Sequence, residues 1–188
     1  MKNQAEFQLV VAGEVECCRF LPPQKFASMS FVINSSNNET DWRKVSGENT
    51  GVSARAYSSI CEIIWNVPFA CTFSSTSPAG WPRMVITLLV EDWFGRDVIG
   101  GYGCVTVPCQ PGRHVREIRL CAPSFSSTWL RLVNYILGKR PTLTNTFHFL
   151  TEPQLDEREH VITAQTGACV KINFNIALLN TDKFNFLF

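Results

Sequence analysis

Trp65-Asn66-Val67-Pro68-Phe69 leads through Cys71-Thr72-Phe73 to Ser77-Pro78-Ala79-Gly80-Trp81-Pro82-Arg83, and this stretch decides the fold. It continues as an apolar run from Met84 to Val90 and then as Asp92-Trp93-Phe94-Gly95-Arg96-Asp97-Val98-Ile99-Gly100-Gly101-Tyr102-Gly103. Phe69, Cys71 and Phe73 recur with period two, the mark of a half-buried strand. Met84 to Val90 is a short continuous apolar run between Pro82 and Asp92, as expected of a strand covered on both faces. The turn between them cannot extend either strand. Pro82 lacks a ladder donor and Gly80 admits positive φ, so Trp81 is expected to plug a sheet edge there. The second glycine cluster re-aims the chain into Cys104-Val105-Thr106-Val107. The segment reads as a β-meander stapled by aromatic side chains.

Outward from this meander the pattern stays extended. Phe7 to Cys17 reads as a long strand with a bulge expected near Gly13. Phe26 to Ile33 alternates, with Ala27, Met29, Phe31 and Ile33 on the core side. Asn34 to Ser53 is polar and reads as a long loop anchored by Trp42. Ser59 to Val67 returns as a strand. After a turn at 108–112, Arg113 to Cys121 points Ile118 and Leu120 inward and Glu117 and Arg119 outward. The period then changes to that of a helix: Trp129, Leu132, Val133, Ile136 and Leu137 share one face, Ser126 or Ser127 caps the start, and Gly138 with Pro141 ends it. Thr144 to Leu150 and His160 to Ala164 read as short strands. Cys169 to Leu179 alternates cleanly, with Val170, Ile172, Phe174, Ile176 and Leu178 inward. The expected fold is all-β, an antiparallel sandwich of about eight strands with one inserted amphipathic helix.

Composition bounds the function. The chain has 188 residues, 45% of them hydrophobic and 18% charged, which suits one globular domain over residues 1–188. A net charge of +1 gives no bulk electrostatic case for nucleic acid. Residues 1–6 lack the apolar stretch of a secretory signal, and no run approaches the ~20 residues of a membrane span. In that setting the eight cysteines read as reduced thiols, and the sequons at Asn34 and Asn38 as silent. Catalytic elbows, P-loops and zinc knuckles are missing. Cys109 and His114 are the nearest approach to a nucleophile pair, with no third group to orient them. Asp41, Asp92, Asp97, Asp156 and Glu157 are the carboxylates a calcium site would draw on, but no Asp-x-Asp pair occurs, and Asp92 and Asp97 read as turn caps. No cofactor or metal is expected.

Pro78-x-Gly80-Trp81-Pro82, the apolar strand, and Phe94-Gly95-x-Asp97-Val98-x-x-Gly101-Tyr102-Gly103 together resemble the core signature of the B9 domain family. The likeness runs on through Pro111-Gly112-Arg113-His114, Leu137-Gly138-Lys139-Arg140-Pro141 and the strand from Gly167 to Leu178, covering about residues 7 to 180. Where family members often carry a basic residue this chain has Gly100. The resemblance implies a C2-like sandwich and a non-enzymatic component of the ciliary transition zone. The implied partners are a second short B9 protein, the Meckel syndrome type 1 protein, and tectonic and transmembrane proteins. Cytoplasm, basal body and cytoskeleton are the implied locations. Gly80, Trp81, Pro82, Gly95, Asp97, Gly101, Tyr102 and Gly103 are then structural residues.

Contacts with a partner, or with lipid in the competing reading, fall to the loop aromatics Trp42, Trp93 and Phe94 and to the basic strand residues Arg113, Arg116 and Arg119. That strand also reads as a solvated edge guarded by charge. Phe184, Phe186 and Phe188 either finish the domain's own sheet or form an interface.

Overall fold

The computed structural model describes residues 6–21, 23–35, 42–58, 61–123 and 163–181, with isolated positions between 127 and 146. Among them the strands are β1 (Phe7–Phe20), β2 (Phe26–Asn34), β3 (Trp42–Glu48), β4 (Thr50–Val52), β5 (Ala56–Tyr57), β6 (Glu62–Ser75), β7 (Arg83–Glu91), β8 (Asp97–Thr106), β9 (Gly112–Pro123) and β10 (Thr163–Leu179). They form one hydrogen-bonded path in the order β3-β6-β1-β10-β9-β8-β7-β2-β4, with β5 on β2. Every pairing is antiparallel.

The path folds back on itself into two layers. β8 and β9 share a single ladder pair, Tyr102 with Cys121, and there the chain passes from one layer to the other. The layers close on one core. The Phe31 ring of β2 meets Phe69 of β6 at 5.7 Å. Trp65 Nε1 on β6 donates 3.2 Å to the Ala27 carbonyl on β2. Core side chains follow from alternation: Leu9, Val11 and Val15 on β1; Ala27, Met29, Phe31 and Ile33 on β2; Phe69, Cys71 and Phe73 on β6; Val170, Ile172, Phe174 and Ile176 on β10 are all buried.

Several expectations are corrected. Residues 42–52 are strand, not loop, because β3 runs along a sheet edge. Only Trp42 of its seven residues is buried, so apolar alternation never shows in the sequence. The irregularity in β1 lies between Val15 and Cys17 rather than at Gly13. A Cβ on Gly13 would collide with the Asn173 carbonyl, so that glycine permits close strand approach instead. The closing strand starts at Thr163 and absorbs the end of the short strand expected over 160–164. The helix expected over 126–138, the strand over 144–150 and the phenylalanines at 184, 186 and 188 lie outside the described residues, apart from isolated positions. Trp129 and Leu137 are two of those positions, and both are exposed.

Gly100 is the extra residue of a bulge, where the register slips between Leu88–Gly101 and Leu89–Ile99. It is buried, and a Cβ there would stand 2.7 Å from Val90 Cγ1, leaving no room for a long basic side chain. Gly103 faces the same constraint. A Cβ would strike Leu120 and come within 2.9 Å of Ile118.

At the opposite end from the Trp93 turn, the indoles organise the chain crossing. Trp81 Nε1 donates 2.9 Å to the Val107 carbonyl, and the Val107 amide donates 3.1 Å to the Pro82 carbonyl. Trp42 stands edge-on to Trp81 at 5.2 Å and to Phe7 at 5.4 Å. Its Nε1 donates 2.6 Å to the Ala79 carbonyl. Removing the Trp42 indole leaves a cavity among rings and an unpaired carbonyl. Trp42→Ala should therefore cost about 3–5 kcal/mol and lower Tm by on the order of 10 °C. Trp93→Ala, at a side chain 88% exposed, should move stability by no more than about 0.5 kcal/mol. Chemical unfolding of both variants tests the contrast, and equal stabilities would refute it.

Candidate functional site

The register places the connections. Arg19 pairs with Glu62, Phe20 with Ala168, and Ala27 with Val90. The β1–β2, β5–β6, β7–β8 and β9–β10 connections therefore leave from one end of the sandwich, and the Trp81 clasp sits at the other.

The β7–β8 turn at the first end is built around Asp92. Its Oδ1 accepts from the Phe94 and Arg96 amides, each at 2.9 Å. Its Oδ2 accepts from Arg96 Nε at 2.9 Å and faces Nη2 at 2.8 Å. The Asp92 amide donates to the Arg96 carbonyl and the Gly95 amide to the Asp92 carbonyl, with Gly95 at φ 76°, where a Cβ is disfavoured. Burial pushes the Asp92 carboxyl up, but the hydrogen bonds of Arg96 and Phe94 prevail and hold it below its ordinary value. The Asp92 carboxylate is nearly buried and gathers the turn's amides on its inner side. Trp93 and Phe94 are therefore presented to solvent, 88% and 58% exposed, with the Arg96 guanidinium 4.8 Å from the Phe94 ring centre. A cleft of about 560 Å³ beside them is lined by Pro23, Lys25, Glu91 and Trp93.

Asp97 opens β8 and does not cap the turn. Arg55 reaches it at 3.7 Å and Glu91 at 2.9 Å, tying the β4–β5 connection to this hairpin. Among the described residues no three His, Cys, Asp or Glu side chains converge as metal ligands. Asp41, Asp156 and Glu157 lie outside the described residues. Cys109 is exposed, with its thiol pushed up by desolvation, while His114 Nε2 lies 2.9 Å from the Gln110 carbonyl. Neither geometry activates a nucleophile.

The remaining candidates separate. Trp42 is buried at 4% exposure, so it is no loop contact. Gly80 and Pro82 hold Trp81 in its turn. Tyr102 is buried at the layer crossing, where its hydroxyl accepts from the Leu143 amide at 3.2 Å. Gly101 lies beside it, and a Cβ there would sit 3.1 Å from Leu120 Cβ. Arg113 pairs with Asn175 and Arg119 with Cys169, on the outer face. Arg116 pairs with Ile172 on the inner face, yet it is exposed at the sheet edge. Arg113 lies toward the Trp81 end of β9 and Arg119, opposite Cys169, toward the other, so the arginines are spread along the strand rather than gathered beside Trp93 and Phe94. The register of β9 decides this, and only pairing in space reveals it.

The outer face of the β6-β1-β10-β9 layer carries a polar ladder that alternation alone did not signal. Lys171 Nζ bonds Glu16 Oε1 at 2.9 Å, and Asn173 Nδ2 donates to Glu14 and Glu16 at 2.9 and 3.0 Å. Arg19 pairs with Glu62 at 3.1 Å and approaches Glu117 at 3.8 Å. Hydrogen bonds from Lys171 and then Asn173 hold Glu16 below its ordinary range, and those from Cys17 and Arg19 do the same for Glu62. Desolvation, reinforced by Glu62, pushes the Cys17 thiol up to about 12. The outward Asn173 is thereby buried, at 7% exposure.

Compared with known proteins, residues 9–177 match the family model B9-C2, described as ciliary basal body-associated B9 protein. B9 domain-containing protein 1 of Xenopus laevis is 32% identical, covering 96% of this chain and 88% of its own. Its human counterpart is 34% identical over 96% and 86%. Human B9 domain-containing protein 2 is 28% identical over 76% and 79%. Among solved structures, a C2 domain of plant Extended Synaptotagmin 1 aligns with a TM-score of 0.41 at 10% identity, over 89% of this chain and 92% of that one.

The ladder makes stability depend on pH with a definite sign. Glu16 and Glu62 have lower pKa values folded than unfolded, so their contribution is complete above the ordinary value of 4.5 and is lost as pH falls below it. Lys171, raised above 10.5, contributes below that value and loses its contribution as pH rises through its folded pKa. Glu16→Gln should lower stability at pH 7 and flatten the decline as pH falls below the ordinary carboxylate value of 4.5. Urea unfolding at stepped pH reads this directly, and an acid slope equal to wild type would refute the ladder's role.

Proposed function

Because the chain belongs to the B9-C2 family of ciliary basal body-associated proteins, we propose that it is a non-enzymatic scaffold subunit of the transition zone at the base of the cilium. In this reading it binds a second short B9 protein and the Meckel syndrome type 1 protein. The assembly works with tectonic and transmembrane partners to support cilium assembly and the barrier that sets ciliary membrane composition. The observation that carries the reading is the extent of the likeness: the family match spans β1 to β10, and the relatives align over nearly the whole chain. The chemistry is compatible with a binding role. Cys17, Cys18, Cys71, Cys109 and Cys169 have thiols raised by burial rather than activated, and the exposed side chains include Trp93, Phe94 and the arginines of β9. Cytoplasm, with attachment to the ciliary cytoskeleton, is the location this role requires.

A second reading, peripheral contact with phospholipid, is favoured by one observation, the outward Trp93 on a turn braced by Asp92. It has less electrostatic support, because the arginines of β9 are spread along the strand rather than gathered at that tip.

Affinity capture of the tagged full chain from ciliated cells of its own species should recover two other B9-domain chains in near-equal amount. Recovery of neither would sink the scaffold reading. Flotation with phosphatidylserine vesicles separates the alternative. Salt-sensitive binding that Trp93→Ser abolishes would establish lipid contact, and no flotation would dismiss it.

A further inference from the structure

From Arg113 to Arg119, β9 is an open sheet edge. It pairs with β10 on one side, and on the other, among the described residues, it meets β8 only at Tyr102–Cys121, beyond this segment. Antiparallel edges of this kind display main-chain donors and acceptors that an added strand can take up. The side chains along it are exposed: Arg113, Val115, Arg116, Glu117 and Arg119, with Val115 at 52%. Arg113, Arg116 and Arg119 have no ion-pair partner among the described residues, whereas Glu117 is approached by Arg19 at 3.8 Å. The edge is thus long, regular and positive, with its one acidic residue already faced by a cation.

The other edges are defended. β3 carries a bulge between Lys44 and Ser46 and turns at Gly47 with φ 80°. Its cations are occupied, Arg43 by Glu6 at 3.3 Å and Lys44 by the Asn49 amide oxygen at 3.1 Å. β4 has three residues. A charged edge also prevents self-association, and the single sign on β9 sharpens that effect, since two such edges repel while an acidic strand is attracted.

We propose that residues 113–119 of β9 are a strand-addition site for an extended acidic segment of a partner protein. Main-chain bonds to β9 give the register, carboxylates on one face of the added strand pair with Arg113 and Arg119, and Arg116, exposed on the other face, adds to the positive field that attracts the segment. The inference rests on the reading of this chain as a partner-binding scaffold and names one surface it uses.

The test uses the full chain and an eight-residue probe peptide of alternating glutamate and β-branched residues, with a lysine-for-glutamate peptide as control. The acidic peptide should bind and slow hydrogen exchange at the amides of 113–119, and the lysine peptide should do neither. The triple variant Arg113→Glu, Arg116→Glu, Arg119→Glu should bind at least about tenfold more weakly. Should that variant not fold, the Gln triple replaces it. No binding, binding without slowed exchange at 113–119, or undiminished binding by the folded variant would each overturn the proposal. Capture of B9-domain partners separates it from the scaffold reading. Equal capture by wild type and triple variant removes this edge and leaves the scaffold, and peptide binding without any capture does the reverse.

Discussion

The fold depends on how the β6–β7 and β8–β9 connections are clasped at one end of the sandwich. A ten-strand path that stays hydrogen-bonded through both layers needs something besides the ladder to set where the layers meet. Trp81 does this by presenting its indole N–H to the Val107 carbonyl, while Pro82 offers its own carbonyl to the Val107 amide. Proline suits this position because only its acceptor is needed. Trp42 then locks the edge strand over the same corner by ring packing and one bond to Ala79. The crossing on the far side can therefore be as slight as a single Tyr102–Cys121 pair.

What the sequence revealed, and what it concealed, follows from this arrangement. Strands buried on one face, such as β2, β6 and β10, write their inward residues at every second position, and those were legible. β3 was not, since a strand whose outer flank is water has no second row of apolar residues to display. Trp42 looked like a loop aromatic for that reason, although its indole is core. Gly103, expected to be structural, is so for a steric reason, set by Leu120 and Ile118 approaching from β9 rather than from its hairpin partner β7. Of the candidate contacts, Trp93 and Phe94 were readable because a short Asp-to-Arg turn declares itself locally. The relation of the arginines to that turn was not, because it depends on β9 leaving β8 for the other layer.

Polar chemistry is distributed by the same geometry. On the outer face, carboxylates are matched to cations or amides along β1, β10 and β6. Along β9, among the described residues, Arg113, Arg116 and Arg119 have no such match. A surface satisfied across one sheet and less matched along one margin is directional.

The pairing of Gln8 with Leu179 has a consequence for synthesis of the chain. β1 emerges early and finds β6 first, joining residues such as Val11 and Cys71. Its other flank, with Leu9, Val11 and Val15 on the inward side, must wait for β10, the last described strand to leave the ribosome. During that interval the nascent protein carries an unpaired strand edge in what will become the middle of a sheet, apolar from Leu9 to Gly13 and charged only toward its end, at Glu14, Glu16 and Arg19. Closure is then a long-range event, slow by loop entropy and vulnerable to capture by other unfolded chains. A strand that is central in the finished molecule is, for most of its making, a border.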